Sequence, residues 1–296
     1  MTRPRPYQAS EVYHKPVLLQ EVIDFLNPKA GTRFIDATLG GAGHAQELTK
    51  RGAEVLGIDR DPDSLEFARS KQIPALTIER GNFADIGEIA KRSGFDQIDG
   101  ILFDLGVSSN QLDNAQRGFS FTKEGPLDMR MDPNLTVRAS DIINNFDERR
   151  LSEIFKTYGQ EKFSRSIANA ICSARQVGPI ETTTELAEIV KRAIPRGVRR
   201  EKIHKATRTF QALRIVVNSE LLNLEQALPQ TPDLIRPGGR LVVISFHSLE
   251  DAIVKRFFKQ EKQFKILTKN PIGPQDEEIE ENPRSRSAKL RAGEKI

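Results

Sequence analysis

The sequence predicts an α/β protein: a parallel, doubly wound sheet interrupted by an all-helical block. Three observations carry this. Short apolar stretches alternate with helix-length amphipathic ones over the first third of the chain. A long strand-poor region follows, and a strand pattern then returns near residue 236. Alternation of this kind builds parallel sheets, because a crossover helix must join strands that run the same way.

The strand candidates are Arg33–Ala37, Glu54–Ile58, Ala75–Glu79, Asp99–Asp104 and Arg240–Phe246. Each is rich in β-branched or aromatic residues and ends near Gly, Asp or Ser. Between the first four lie His44–Arg51, Pro62–Ser70 and Phe83–Ser93, with apolar residues three to four apart. Asp61-Pro62 has the form of an N-cap followed by proline at the first helical position. Residues 110–135 are rich in Asn, Gln, Asp, Gly and Pro and read as a long loop. Helical periodicity then covers Ser140–Asn145, Glu148–Tyr158, Lys162–Gln176, Thr184–Ala193 and Lys205–Leu228, with Thr182 to Thr184 offering a cap before Glu185. Phe264–Lys269 and Ser287–Ala292 would be two last strands, joined by an acidic, Pro-containing loop, completing a seven-stranded sheet. The resulting division is 1–112 and 217–296 for the α/β domain, with 113–216 inserted.

With 296 residues, 38% of them hydrophobic and 29% charged, the chain can bury a substantial core and is not compositionally disordered. No apolar run approaches the length of a membrane span, and no apolar segment follows the basic N-terminus as a secretory signal requires. Cys172 is the sole cysteine, which excludes an internal disulfide and any multi-cysteine metal site. A cytoplasmic location and no bound metal are expected. The net charge is +4, unevenly placed: residues 138–215 hold 16 Lys/Arg and 9 Asp/Glu, and 191–214 holds nine basic residues against Glu201 alone. Such an excess attracts a polyanion; a solvated helix surface is the plain alternative.

The richest run is Arg33 to His44, Arg-Phe-Ile-Asp-Ala-Thr-Leu-Gly-Gly-Ala-Gly-His. A buried strand ends in Asp36, and a glycine-rich turn leads into a helix, so the backbone can approach a ligand closely. Asp59 ends the second strand, where an acid can accept hydrogen bonds from both ribose hydroxyls of a nucleoside cofactor. This geometry also serves nicotinamide dinucleotides. However, the run does not meet G-x-G-x-x-G cleanly, and Asp36 suits the sulfonium and ammonium of S-adenosyl-L-methionine better than it suits a pyrophosphate. Phe83, after the third strand, stands where an adenine would pack.

Asp104, Ser108 and Ser109 follow the fourth strand, at the carboxyl edge where open sheets bind ligands. An exocyclic amino nitrogen on a heteroaromatic ring is a poor nucleophile, because its lone pair is delocalised into the ring. Acceptors for its N–H groups would expose that lone pair and aim it. No cysteine lies near this loop, which disfavours carbon-5 chemistry. The amino-methyltransferase motif of an acid, two prolines and an aromatic is absent, so Asp104 to Ser109 would have to do its work. Asp128, Arg130 and Asp132, spaced by two, can line one side of an extended segment and grip the target nucleotide. His247 can touch substrate or cap the helix starting near Ser248.

Together with His14 to Leu19, Asp104 to Ser109, Gln111 to Asp113, Arg117 to Phe121, Gly125 to Asp132, Ala206 to Gln211, Ser245 to Asp251 and Asn282 to Ser287, these motifs resemble the MraW/RsmH family across nearly the whole chain. The resemblance implies a Rossmann-like, S-adenosyl-L-methionine-dependent methyltransferase with an inserted helical domain. Its expected reaction is methylation of a cytidine N4 in the decoding region of 16S ribosomal RNA. It further implies cofactor contacts at Ala42, Gly43, His44, Asp59, Phe83, Asp104 and Gln111, and ribosomal RNA or the small subunit as partner. Arg208 and the basic 191–214 stretch would hold phosphates. Ala42 replaces the family's usual glycine, and Asn110 its usual proline. A non-catalytic RNA-binding protein on the same fold stays open at this point. A homodimer is compatible with the sequence, which does not fix oligomeric state.

Overall fold

The computed structural model describes residues 16–195 and 204–296. His14 and Lys15, and the basic positions Arg196, Arg199, Arg200 and Lys202, lie outside the described residues.

Seven strands form one sheet in the order β3-β2-β1-β4-β5-β7-β6: β1 (Arg33–Asp36), β2 (Glu54–Asp59), β3 (Leu76–Arg80), β4 (Ile98–Asp104), β5 (Ile235–Ser245), β6 (Phe264–Ile266) and β7 (Lys289–Lys295). The first five are parallel; β7 runs antiparallel to both β5 and β6. All seven expected strands are present. The central ones read as continuous apolar runs because both faces are covered: Phe34, Ile35, Leu102 and Phe103 are fully buried.

In chain order the helices are α1 (Leu19–Leu26), α2 (Gly43–Lys50), α3 (Pro62–Ser70), α4 (Ile86–Arg92), α5 (Ser109–Asp113), α6 (Ala139–Asn145), α7 (Glu148–Gly159), α8 (Ser164–Ala174), α9 (Thr183–Ala193), α10 (Thr207–Asn218), α11 (Glu220–Ala227), α12 (Thr231–Leu234), α13 (Ser248–Gln260) and α14 (Asp276–Glu281). The caps fall at the expected residues. The Asp61 side chain accepts from Asp63 N at α3, and Thr182 accepts from Glu185 N at α9. Each such cap contributes about 1 kcal/mol. Among the described residues no helix is long and apolar enough to cross a membrane.

The chain divides into two compact units, Met1–Asn110 with Glu225–Ile296, and Gln111–Leu224. The first holds the sheet. The second holds four long helices: α7 packs against α8 and α10, and α8 against α9. Leu151, Phe155, Ile171, Leu186, Phe210 and Leu213 are buried there. The return to the first unit falls at 224, later than the expected 216. The reason is local bonding: Asn218 takes Met131 N and gives to Met129 O, and Arg214 makes two hydrogen bonds to Glu220. The single helix expected over 205–228 is instead broken at Ser219, whose φ of 51° ends α10 in a left-handed cap. The expected 110–135 loop opens with α5 and a 3-10 turn at Ala115–Arg117, and the acidic connection before β7 contains α14. The start of the chain carries α1, a helix the sequence pattern does not announce.

Candidate active site

β1, β2 and β4 each end on an aspartate: Asp36, Asp59 and Asp104. Parallel register brings the strand ends to one edge. Asp36 stands opposite Gly57 of β2 and Leu102 of β4, and Asp104 opposite Ile244 of β5. The chain beyond β1 then stitches this edge together. Ala37 N donates to Leu102 O, Leu39 N to Ile58 O, and the backbone N–H of Asp104 to Thr38 Oγ1 at 2.6 Å.

The glycine-rich turn closes on Asp59. Gly40 N donates to Asp59 Oδ2 at 2.8 Å, and Asp61 N to Oδ1 at 2.9 Å. Each oxygen keeps a lone pair for a further donor. Lys71 Nζ, donating to Gly41 O at 2.7 Å, holds the turn from outside. Ala42 takes the left-handed conformation (φ 57°) usual for glycine, with its methyl fully buried. The turn therefore keeps the positive φ that an alanine disfavours; burial of the methyl group offsets part of that strain.

Gly43 begins α2 in close contact with the segment before α1. A Cβ added there would lie 2.4 Å from Pro16 Cγ. Gly43→Ala is therefore expected to destabilise the protein by about 1–3 kcal/mol through overpacking. Thermal denaturation of the variant measures this; an unchanged midpoint would refute it.

His44, next in line, is buried. Its Nε2 lies 3.0 Å from Val17 O, so that nitrogen carries the hydrogen, since a carbonyl only accepts. Nδ1 then faces Asp104 Oδ2 at 3.7 Å. The other oxygen, Asp104 Oδ1, is buried and has no hydrogen-bond partner. A buried acceptor left unbonded costs about 1–3 kcal/mol, so it marks a place where a donor belongs.

All three acids are electrostatically strained. Burial pushes Asp36 up to about 7, with the Asp59 charge adding to it and backbone N–H groups of Thr38 and Ala45 opposing. Burial likewise raises Asp59 to about 6, the Asp61 charge reinforcing it. Asp104 is raised well above the ordinary carboxylate value, first by burial and then by Asp36, Glu250 and Glu278. Like charges gathered in a dry edge disfavour ionisation of each other. A cation placed among them would reverse that.

The other expected site residues are distributed as follows. Phe83 sits half-buried beyond β3, its ring edge-on to Phe103 at 5.6 Å between centroids. Asn82 caps the short 3-10 turn there, accepting from Ala84 N. Ser108 lies half-buried in the turn after β4, while the buried Ser109 Oγ accepts a hydrogen bond from the Arg284 guanidinium. His247 caps α13: its side chain accepts from Glu250 N, and Glu250 Oε2 accepts from Phe246 N and His247 N. Of its two expected roles the structure displays the cap, a His-x-x-Glu version of the capping box.

Gln111 falls in the second unit, on α5, and is buried. Asp128 and Arg130, expected to grip substrate, grip each other. Arg130 Nε and Nη2 reach the two Asp128 oxygens at 2.8 and 2.7 Å, and Arg130 Nη1 donates to Pro133 O and Leu135 O. Asp132 closes a turn by accepting from Asn134 N. This constellation folds its own loop, because residues two apart meet across a turn rather than along an extended segment. Arg208 is half-buried in the first turn of α10. Sequence reasoning missed Glu250, Glu278 and Arg284. The first had a signal, the capping-box spacing; the other two reach the site from distant parts of the chain.

Residues 11–296 match the model of the MraW methylase family. The chain is 48% identical to a ribosomal RNA small subunit methyltransferase H of Geobacter sulfurreducens, covering 96% of this chain and 99% of that one. It is 52% identical to the protein of the same name from Deinococcus deserti, covering 100% and 98%. With agreement of this depth over its full length, the chain belongs to the MraW methylase family.

Proposed function

We propose that this protein transfers a methyl group from S-adenosyl-L-methionine to the N4 amino group of a cytidine in small-subunit ribosomal RNA. The observation that carries the reading is the strained acid triad at the sheet's edge, with Asp104 Oδ1 buried and unbonded. Three carboxylates that resist ionisation suit a ligand bearing two positive centres and hydroxyl groups. They do not suit a pyrophosphate. When bound, S-adenosyl-L-methionine supplies an electrophilic methyl group on a sulfonium.

The chain's own residues do the rest. Asp59, with a lone pair left on each oxygen, accepts from ribose hydroxyls. Asp36 and Asp104 balance positive charge. Phe83 offers an apolar wall beside the base. Asp104 Oδ1 accepts an N–H from the target amine, which favours a pyramidal nitrogen with its lone pair exposed. Its raised pKa also makes it a competent base for the proton that the methylated nitrogen must lose. His44, fixed through Val17 O, lies beside Asp104 Oδ2 at 3.7 Å and fills that side of the carboxylate. The relatives' names support small-subunit ribosomal RNA as substrate. The basic excess of the second unit supports a polyanion. Reaching Asp104 requires unstacking the base, which costs a few kcal/mol.

The test is direct. Purified protein, labelled S-adenosyl-L-methionine and small-subunit ribosomal RNA are incubated, and the RNA is digested to nucleosides for mass spectrometry. N4-methylcytidine is the expected product. Label in 5-methylcytidine, in ribose, or nowhere defeats the proposal.

A further inference from the structure

The first unit carries a basic surface of its own. Residues 252–269 hold six Lys/Arg and one acid, Glu261. They sit in a unit whose overall charge is −1, since the second unit carries +5 and the whole chain +4. The excess is therefore local and set against an acidic background.

Helix α13 organises it. Ile253, Val254 and Phe258 are buried, with Phe258 and Phe257 packing on Phe264 of β6. The opposite face presents Lys255 and Lys259, one helical turn apart, and Lys262 continues the row just past the helix end. Lys265 on β6 and Lys269 after it are exposed as well. None of these five lysines makes an ion pair among the described residues. Arg256, on the flank, is neutralised by Glu225 at 2.7 Å.

An ordinary solvated helix face in this chain looks different. On α2, Glu47 pairs with Lys50 and Arg51; on α7, Arg149 pairs with Glu153; on α9, Lys191 pairs with Glu188. The acids of α13 are used elsewhere. Glu250 caps the helix, and Asp251 is bound to Arg291 and Lys289. Among the described residues nothing balances the lysine row.

Its direction also has meaning. α13 starts at His247, immediately beyond the end of β5, whose Ile244 stands opposite Asp104. At 1.5 Å per residue, Lys255 lies about 10 Å along the helix from its start and Lys259 about 16 Å; Lys262 follows the helix end. The row leads away from the reaction edge; Lys255 and Lys259 are about 6 Å apart along the helix, comparable with one step between phosphates of an RNA strand.

We propose that Lys255, Lys259 and Lys262 form a second RNA-backbone contact, on the methyltransferase unit itself, which holds the strand next to the target nucleotide. This rests on the ribosomal RNA reading above. The contact is sequence-independent and positions the RNA without touching the reacting base.

The test uses the full-length protein with Lys255→Gln, Lys259→Gln and Lys262→Gln combined, against purified small-subunit ribosomal RNA. Three exposed, unpaired lysines can be neutralised without loss of fold, which the thermal midpoint checks. Binding is followed over roughly 50 to 200 mM salt. Losing three phosphate contacts flattens the slope of log K against log salt by about 2–3. KM for the RNA is expected to rise about tenfold, with kcat at saturation and S-adenosyl-L-methionine affinity unchanged. A slope within about 0.5 of wild type, less than one phosphate contact contributes, refutes the proposal. So does a loss confined to kcat. Should wild-type protein methylate nothing while the variant's slope is still flattened by about 2–3, the catalytic reading fails and the contact stands.

Discussion

Asp104→Asn is expected to lower the single-turnover rate of methyl transfer by about 10²–10³, the usual cost of losing one group aimed at a transition state. The affinity for S-adenosyl-L-methionine should fall far less. The amide keeps the size of the side chain and one acceptor oxygen, so packing against Thr38 and His44 survives. It loses the negative charge, and with it the base. The same substitution should raise the thermal midpoint of the ligand-free protein near pH 8, by less as pH falls, and leave it unchanged near pH 3.5, below the ordinary carboxylate value. Asp104 is pushed well above the ordinary range by burial and by Asp36, Glu250 and Glu278. At pH 8 the unfolded chain's Asp104 is ionised while the fold resists that charge, a cost the amide avoids. Near the ordinary carboxylate value the unfolded chain takes up the proton as well, and the difference vanishes. A gain in stability with a loss in rate identifies a strained functional group. A variant that is destabilised at both pH values, or one as fast as wild type, removes Asp104 from the reaction.

How far the sequence discloses such a site depends on how local the physics is. The sheet was legible because each central strand is apolar and β-branched and stops at an aspartate or serine. Asp36, Asp59 and Asp104 were found for that reason: a polar residue ending a buried strand is conspicuous in one dimension. The break at Ser219 left no comparable mark. No Gly or Pro stands there, and the left-handed turn is held by bonds from Asn218 to a loop almost ninety residues earlier. Arg130 shows the opposite failure. Charged residues spaced by two suggested an extended, substrate-facing segment, but Met129 has a φ of 64°, and the turn it makes folds Arg130 back on Asp128. At position 42, where alanine stands in place of the family's usual glycine, the backbone takes a glycine-favoured positive φ and the methyl is buried. The lysine row of α13 escaped notice because acids elsewhere in the first unit cancel it in any long sum.

The triad also makes cofactor binding a proton-linked event. Asp36 sits at about 7 and Asp59 at about 6, both above the ordinary carboxylate value. Between about pH 4 and 7 the folded, ligand-free protein therefore binds more protons than the unfolded chain. Stability must then fall as pH rises through that window. A tenfold difference in proton affinity between fold and unfolded chain is worth about 1.4 kcal/mol, so the whole loss is several kcal/mol, at most about 7. Asp251, raised by burial but brought below its usual value by Arg291 and Lys289, titrates on the acid side of the window and does not cancel the trend. Placing a cation among the acids stabilises their ionised forms and lowers each pKa, so protons leave as it binds. Affinity for S-adenosyl-L-methionine is expected to rise from about pH 5.5 to 7.5. The calorimetric enthalpy should differ between phosphate and Tris buffers in proportion to the protons released. S-adenosylhomocysteine has the same ammonium, carboxylate and nucleoside but no sulfonium, so it should release fewer protons at equal pH. That difference isolates the charge next to the reacting methyl. If the two ligands release protons equally, the sulfonium does not sit among these carboxylates, and their strained ionisation serves something other than the methyl donor.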